Sequence, residues 1–100
     1  MVERRHPSIK PTHPGELLAE DIIPASGLTK TDIAERLGVS RQTLYDLLSC
    51  RQPVTPNLAA RLGRLFGNGA GFWLRLQAAH DTWMAEHEID VSAVRPLNAA

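Results

Sequence analysis

The stretch "LTKTDIAERLGVSRQTLYDLLSC", Leu28–Cys50, decides the fold. It contains two short segments with helical apolar spacing, separated by the tight connection "LGVS". Thr29 and Ser40 each stand just before one of these segments, where a hydroxyl side chain caps a helix N-terminus. Gly38 stands at the end of the first segment, where glycine adopts a positive φ without a Cβ clash. The stretch therefore predicts two helices joined by a tight corner.

Both segments place their apolar residues three and four positions apart, which puts them on one face of each helix. Ala34 is small and lies four residues before Gly38, so the two helices can approach closely. A corner of this kind holds the second helix with its N-terminus pointing outward. This is the helix-turn-helix, the motif that places a recognition helix in the major groove of DNA. The residues predicted to face inward are Ile33, Ala34, Leu37, Leu44, Leu47 and Leu48.

The rest of the chain predicts three further helices and no convincing strand pair, hence an all-α domain of five helices. Proline and glycine punctuate the segments between them. The additional helices are "PGELLAEDII", "PNLAARLGRLFG" and "FWLRLQAAHDTWMAEHE". We expect a flexible N-terminal arm over residues 1–13, a DNA-binding domain over 14–88 that ends in a dimerisation helix, and a tail over 89–100.

The net charge of the 100 residues is zero, but the charges are unevenly distributed. Residues 36–64 carry five arginines against one aspartate, whereas residues 65–100 carry two arginines against four carboxylates. A basic middle beside an acidic end suits a protein that meets an anion on one side. The single cysteine excludes an internal disulfide, and the polar start and the lack of a long apolar run favour a cytoplasmic protein.

The four histidines invite comparison with a small metal-dependent hydrolase. His80 and His87 are seven residues apart, however, and the i, i+4 pair of a helical zinc site is missing. His6 and His13 are also seven apart. No nucleophile–base pair or phosphate-binding loop is recognisable either, because "GNGAG" is not followed by Lys and Ser or Thr. The sequence therefore predicts a protein that is not an enzyme and needs no metal or cofactor.

Three segments carry a resemblance to a known family: "HPGELLAEDII", the stretch Leu28–Gly67, and "FWLRLQAAHDTW". Together they resemble HigA-type antitoxins, which belong to the helix-turn-helix group similar to phage repressors such as that of lambda. Gly71 departs from the pattern, since a residue more favourable to a helix is expected there. The resemblance implies a dimeric antitoxin that represses its own operon and neutralises a small mRNA-cleaving toxin of the HigB type, similar to RelE. A stand-alone transcriptional regulator without a toxin partner is the alternative.

The recognition helix supplies the predicted base contacts. Arg pairs with guanine and Gln with adenine through two hydrogen bonds, and Thr contacts a thymine methyl group or a phosphate. Asp46 is expected to orient Arg41 or Gln42. The predicted base-contacting residues are Arg41, Gln42, Thr43, Tyr45 and Asp46. Phosphate contacts are expected from residues at helix N-termini and just past the recognition helix, namely Thr29, Lys30, Ser40, Arg51 and Gln52.

The last helix is apolar on more than one face, and one small domain cannot cover all of that surface. Part of it is therefore expected to form a homodimer, which would place two recognition helices about one DNA turn, ~34 Å, apart. The predicted interface comprises Phe72, Trp73, Leu76 and Trp83. A structural salt bridge is expected between Arg61 and Glu16, and Cys50 is expected to be a half-buried thiol at a helix end.

Overall fold

The computed structural model describes residues 9–98, and within that range the chain forms five helices and no strand. The all-α, five-helix prediction is confirmed. The helices are α1, in three consecutive pieces (Pro14–Leu17, Leu18–Ile22 and Ile23–Ser26), α2 (Lys30–Leu37), α3 (Arg41–Leu48), α4 (Pro56–Phe66) and α5 (Ala70–His87). Residues 1–8 of the predicted arm and the last two residues of the tail lie outside the described range.

Helix α1 continues through Pro24, beyond the predicted segment "PGELLAEDII". Its middle piece is a π-helical turn, in which the N–H of Ile23 bonds to the carbonyl of Leu18. A proline inside a helix lacks an N–H and crowds the carbonyl four residues earlier, and a wider turn relieves that crowding. Pro24 therefore lies within the last helical piece, and the helix ends at Gly27 in a left-handed conformation.

The domain begins one residue earlier than predicted. His13, assigned to the arm, is the N-cap of α1 and is only 6% exposed. Its Nδ1 accepts a hydrogen bond from the N–H of Gly15 at 2.9 Å. A buried capping side chain belongs to the folded unit, because it satisfies one of the free N–H groups at the helix start.

The hydrophobic core lies between the helix-turn-helix and the α4–α5 pair. A connection of three residues joins α4 and α5, which form the most extensive helix pair in the domain. Trp73 of α5 is completely buried against this core. The largest fully buried side chains are Leu18, Ile33, Leu44, Leu47, Leu62 and Trp73, together with Pro14. The core thus includes every helix and fixes the corner from behind.

The end of the chain departs from the sequence-based expectation at one helix boundary. Helix α5 begins at Ala70 rather than Phe72, so Gly71 is helical and the connection is reduced to Gly67–Gly69. The predicted tail has no regular secondary structure between Glu88 and Asn98. Among residues 9–98, no helix combines the length and the apolar character needed to cross a membrane.

Candidate nucleic-acid interface

The corner between α2 and α3 is built from three local devices. Thr29 and Asp32 form a capping box: the Thr29 hydroxyl accepts from the Asp32 N–H at 3.1 Å, and the Asp32 carboxylate accepts from the Thr29 N–H at 3.4 Å. Gly38 ends α2 in the left-handed region, with φ 72° and its N–H on the carbonyls of Ala34 and Glu35. Ser40 then caps α3 by accepting from the N–H of Thr43 at 3.0 Å. The corner is therefore fixed at both helix ends.

Helix α3 has one buried face and one exposed face. Leu44 and Leu47 are each only 1% exposed. On the opposite side Arg41 and Gln42 are exposed, and Tyr45 keeps 45% of its surface accessible. Its first turn consequently presents polar side chains to the outside, as a recognition helix requires.

Asp46 organises the exposed face of α3. Its Oδ1 accepts a hydrogen bond from Nε2 of Gln42 at 2.9 Å and lies 3.3 Å from the guanidinium of Arg51. Its backbone carbonyl accepts from the N–H groups of Arg51 and Gln52. The expectation that Asp46 orients Gln42 agrees with this geometry. Arg41 makes no such contact with Asp46, and the second partner of the carboxylate is Arg51 instead.

The residues predicted to contact phosphates lie on both sides of this face. Thr29 and Lys30 are exposed at the start of α2, and Ser40 is exposed at the start of α3. The Lys30 ammonium lies 5.8 Å from the ring centroid of Tyr45, close enough for a cation–π interaction that joins the two helices. Arg51 is exposed and Gln52 is partly buried, just past the end of α3. The structure thus brings all ten predicted DNA-binding residues to α3 and its two flanks.

Helix α3 is followed by a residue that adopts a left-handed conformation although it is not a glycine. Cys50 has φ 64°, in the left-handed region where glycine is the usual residue. Its side chain is exposed, so the prediction of a half-buried thiol is wrong. Partial desolvation and the nearby Glu16 carboxylate raise the pKa of the Cys50 thiol, which keeps it protonated at neutral pH.

The predicted salt bridge between Arg61 and Glu16 is wrong. Arg61 instead donates from Nη1 to the carbonyl of Leu37 at 2.8 Å and from Nε to Asn57 at 2.8 Å. The carbonyl of Leu37 belongs to the last turn of α2, where no helical partner is available. Arg61 therefore ties α4 to the corner, a support that the sequence analysis missed because the partner is a backbone atom.

A second support concerns the loop after α3, and it too was missed. Gln77 of α5 is 6% exposed, and its Oε1 accepts from the N–H of Val54 at 2.7 Å. Its Nε2 donates to Asp81 at 2.9 Å. A glutamine inside an apolar helix is the available sequence signal, because a buried amide needs hydrogen-bonding partners.

The predicted dimer interface divides into two groups. Trp73 is 0% exposed and its indole N–H donates to Asn68, so it belongs to the core of this chain, and its assignment to a dimer surface is wrong. Phe72 is 36% exposed, and Leu76 and Trp83 are partly exposed. Phe72, Leu76 and Ala79 line an open groove of about 290 Å³ together with Pro11 and Arg75.

Among residues 9–98, no group of histidine, cysteine or carboxylate side chains is arranged to hold a metal ion. His13 and His80 meet edge to face, with ring centroids 4.8 Å apart. They line a cavity of about 640 Å³ at the C-terminal end of α3. His6 lies outside the described residues.

Comparison with known proteins identifies the group to which this interface belongs. A family model described as a helix-turn-helix domain matches residues 13–70. The chain is 32% identical over 90 residues to Antitoxin HigA-1 of Vibrio cholerae, covering 88% of this chain and 85% of that protein. It is 35% identical over 80 residues to the uncharacterized HTH-type transcriptional regulator YbaQ of Escherichia coli K12, covering 80% of this chain and 71% of that protein.

Two solved structures extend the likeness to the fold. An addiction module antidote protein of a HigA family from Coxiella burnetii superimposes with a TM-score of 0.74 at 32% identity, covering 80% of this chain and 87% of that one. The Pseudomonas aeruginosa antitoxin HigA, solved with the higBA promoter, gives a TM-score of 0.74 at 29% identity and covers 89% and 100%. The family match, over residues 13–70, includes the capped corner and the exposed start of α3. The chain therefore belongs to the HigA-type antitoxins, a family of helix-turn-helix DNA-binding proteins.

Proposed function

We propose that this chain is the antitoxin of a type II toxin–antitoxin module that represses its own operon as a homodimer in the cytoplasm. The observation that carries the proposal is the exposed first turn of α3, which contains Arg41 and Gln42. This turn follows a corner whose two helices, α2 and α3, are both capped at their N-termini. The protein acts by binding and not by catalysis. Repression is steric, because a dimer on the operator blocks the promoter.

Arg41 and Gln42 supply the base contacts in this proposal. Arg41 has no hydrogen-bonding or ionic partner among residues 9–98, so its guanidinium can meet the O6 and N7 acceptors of guanine. Gln42 uses one amide N–H for Asp46, which leaves its second N–H and its carbonyl oxygen for the N7 and N6 groups of adenine. Asp46 thereby fixes the orientation of the amide before DNA arrives. Thr43 and Tyr45 complete the base-facing set.

Phosphate contacts set the register of the protein on the duplex. Thr29 and Lys30 stand at the positive end of the α2 dipole, which attracts an anion, and Lys30 adds a full charge. Ser40 lies in the corresponding place on α3, and Arg51 and Gln52 flank the other end of that helix. Such contacts give affinity that is independent of sequence and falls with salt.

Dimerisation in this proposal uses the outer face of α5. Phe72, Leu76, Ala79 and Trp83 form one stripe whose members are spaced symmetrically about its centre. Two copies related by a two-fold axis through that centre place Phe72 against the partner's Trp83 and Leu76 against the partner's Ala79. An isologous contact of this kind also orients two recognition helices toward a palindromic operator.

Arg41→Ala and Gln42→Ala test the DNA-binding part. DNA from immediately upstream of the gene is titrated and the dissociation constant is measured by fluorescence anisotropy. Each substitution should cost about 1–3 kcal/mol, since each removes a bidentate base contact. Arg95→Ala, which removes an arginine from the tail, is the matched control and should leave affinity unchanged. Full affinity in both recognition-helix variants would refute the assignment.

Neutralisation of a toxin is tested separately. Co-expression with the adjacent gene, followed by a pull-down, should recover a small HigB/RelE-like protein and abolish its mRNA cleavage. If the neighbouring genes encode no such protein and the chain still binds its upstream DNA, the alternative holds. The chain is then a stand-alone regulator without a toxin partner.

A further inference from the structure

A basic groove shares no lining residue with the groove beside Phe72 and Leu76. It has a volume of about 600 Å³ and is lined by residues from the end of α2 and from α4. Three arginines surround it: Arg36, Arg61 and Arg64. Leu37, Ala60 and Leu65 provide apolar surface between them. We call these six residues the arginine groove.

The arginine groove carries uncompensated positive charge. Within residues 9–98 the ion pairs are Arg51 with Asp46 and His80 with Asp81, and neither involves a groove arginine. Arg61 donates hydrogen bonds to Asn57 and to the carbonyl of Leu37. Both partners are neutral, so they do not compensate the positive charge of Arg61. Three cations close together around an apolar surface repel one another, so the arrangement favours an acidic partner with apolar side chains.

The C-terminal tail, Glu88–Asn98, has that composition. Glu86, Glu88 and Asp90 bring three carboxylates to the end of α5 and the start of the tail. Large apolar side chains alternate with these carboxylates or follow them in the chain, and they are exposed to solvent. Their exposed fractions are 59% for Ile89, 60% for Val91, 70% for Val94 and 103% for Leu97. Four such residues in one short segment indicate a surface that is buried in an assembly.

The two-fold geometry of the α5 stripe brings these two surfaces together. When Phe72 meets the partner's Trp83, the two α5 helices run antiparallel and the partner's His87 comes beside Asn68. Asn68 lies four residues past Arg64 in the chain, and Arg64 lines the arginine groove. Three further residues of extended chain span roughly 10 Å, which brings the partner's Asp90 within reach of Arg64.

We propose that the tail of one copy docks in the arginine groove of a second copy, with Glu88 and Asp90 against Arg36 and Arg64. Ile89 and Val91 then cover Leu65 and Ala60. The exchange is reciprocal, so each dimer contains two tail–groove contacts. This inference rests on the α5 dimer proposed above, and it adds a second interface that stabilises the same pair.

The test uses two charge-reversed forms of the full chain. One carries Arg36→Glu and Arg64→Glu in the groove, and the other carries Glu88→Lys and Asp90→Lys in the tail. Each form alone places like charges together, so its dimer dissociation constant in sedimentation should rise at least about tenfold. Mixed together, the two forms should prefer the heterodimer, because both tail–groove contacts in that pair join opposite charges. Glu20→Lys, an exposed reversal on α1, is the control and should leave dimerisation unchanged.

The outcomes separate this inference from the proposal on which it rests. Preferential heterodimers support exchange between copies. Weak homodimers that keep the helical circular dichroism spectrum and do not recover on mixing contradict it, because they would indicate a tail folded onto its own groove. Variants that dimerise like the natural chain refute the tail contact while leaving the α5 dimer intact. A natural chain that is monomeric at micromolar concentration refutes the α5 dimer itself.

Discussion

Nε2 of Gln42 donates to the carboxylate of Asp46 at 2.9 Å, one helical turn away on the exposed face of α3. The same carboxylate lies 3.3 Å from the guanidinium of Arg51. Asp46 thus places a carboxylate on the face that is proposed to meet DNA, with Gln42 and Arg51 as its two partners. Its negative charge opposes phosphate approach, while its hydrogen bond orients a base-reading amide.

Replacing Asp46 with alanine should reduce specificity more than affinity. Loss of a carboxylate favours every duplex, because one repulsion from phosphates disappears. Loss of the hydrogen bond leaves Gln42 free to rotate, which weakens its bidentate contact with adenine, worth about 1–3 kcal/mol. The ratio of operator to scrambled-DNA affinity should therefore fall roughly tenfold. Asp46→Asn retains an acceptor for Gln42 and should lose less of this ratio. An unchanged ratio in Asp46→Ala would show that the orientation of Gln42 is irrelevant.

Lys30→Gln should weaken binding equally on operator and scrambled DNA. Lys30 is exposed at the start of α2 and contacts only the Tyr45 ring among the side chains of the proposed interface. Removing one phosphate contact should lower the slope of log affinity against log salt by about 1. Titrations at several salt concentrations measure that slope. Arg95→Gln removes a charge from the tail and should leave the slope as it is. A Lys30 variant that changes base preference instead would place this residue among the base contacts.

The corner could be predicted from the sequence because every part of it is local. Thr29, Gly38 and Ser40 cap helix ends through partners that lie within four residues of them in the chain. Residue types that cap helices can be recognised from the sequence alone. The exposed position of Arg41 and Gln42 follows from the spacing of the leucines behind them. The network around Asp46 was partly predictable for the same reason, since Gln42 is four residues away on the same helix.

Contacts between distant elements could not be predicted in this way. Arg61 was expected to pair with a carboxylate, but its partner is the backbone carbonyl of Leu37, a group that every residue carries. Trp73 and Phe72 are neighbours in sequence, and only the packing angle of α5 on α4 decides which of them is buried. A helix with apolar residues all round does not reveal which side meets its own core.

The stability of the domain should fall as the pH drops below about 6.5. Burial, and next the charge of His80, lower the pKa of His13 in the folded chain, so the unfolded chain takes up a proton first. Asp81 and Glu16 act in the opposite direction, and Lys10 adds to the lowering. The stabilisation is complete above the unfolded value of 6.5 and is lost as the pH falls below it. Protonation also removes the acceptor that Nδ1 offers to the Gly15 N–H.

Urea unfolding followed between pH 7.5 and pH 5 measures this dependence. His13→Asn retains a capping side chain that does not titrate, so its urea midpoint should change less over the same range. The lowered pKa of Asp90 acts only below its ordinary value of 3.8, outside this window. A His13→Asn variant with an undiminished pH dependence would assign the effect to other groups.

Two glycine-to-alanine substitutions in the α4–α5 hairpin should have opposite effects. A Cβ on Gly63 would overlap the backbone of Gly69 and Ala70, which cannot move without separating the helices. Gly63→Ala should therefore destabilise the domain by about 1–3 kcal/mol or more, despite the better helix propensity of alanine.

A Cβ on Gly71 would meet only the guanidinium end of Arg75, which can rotate away. Gly71→Ala should stabilise α5 by up to about 1 kcal/mol, since alanine suits a helix better than glycine. Thermal and urea unfolding of the two variants provide the comparison. An undiminished stability in Gly63→Ala would mean that the close approach at Gly63 does not limit packing. Destabilisation by Gly71→Ala would mean that the space beside Gly71 is not free.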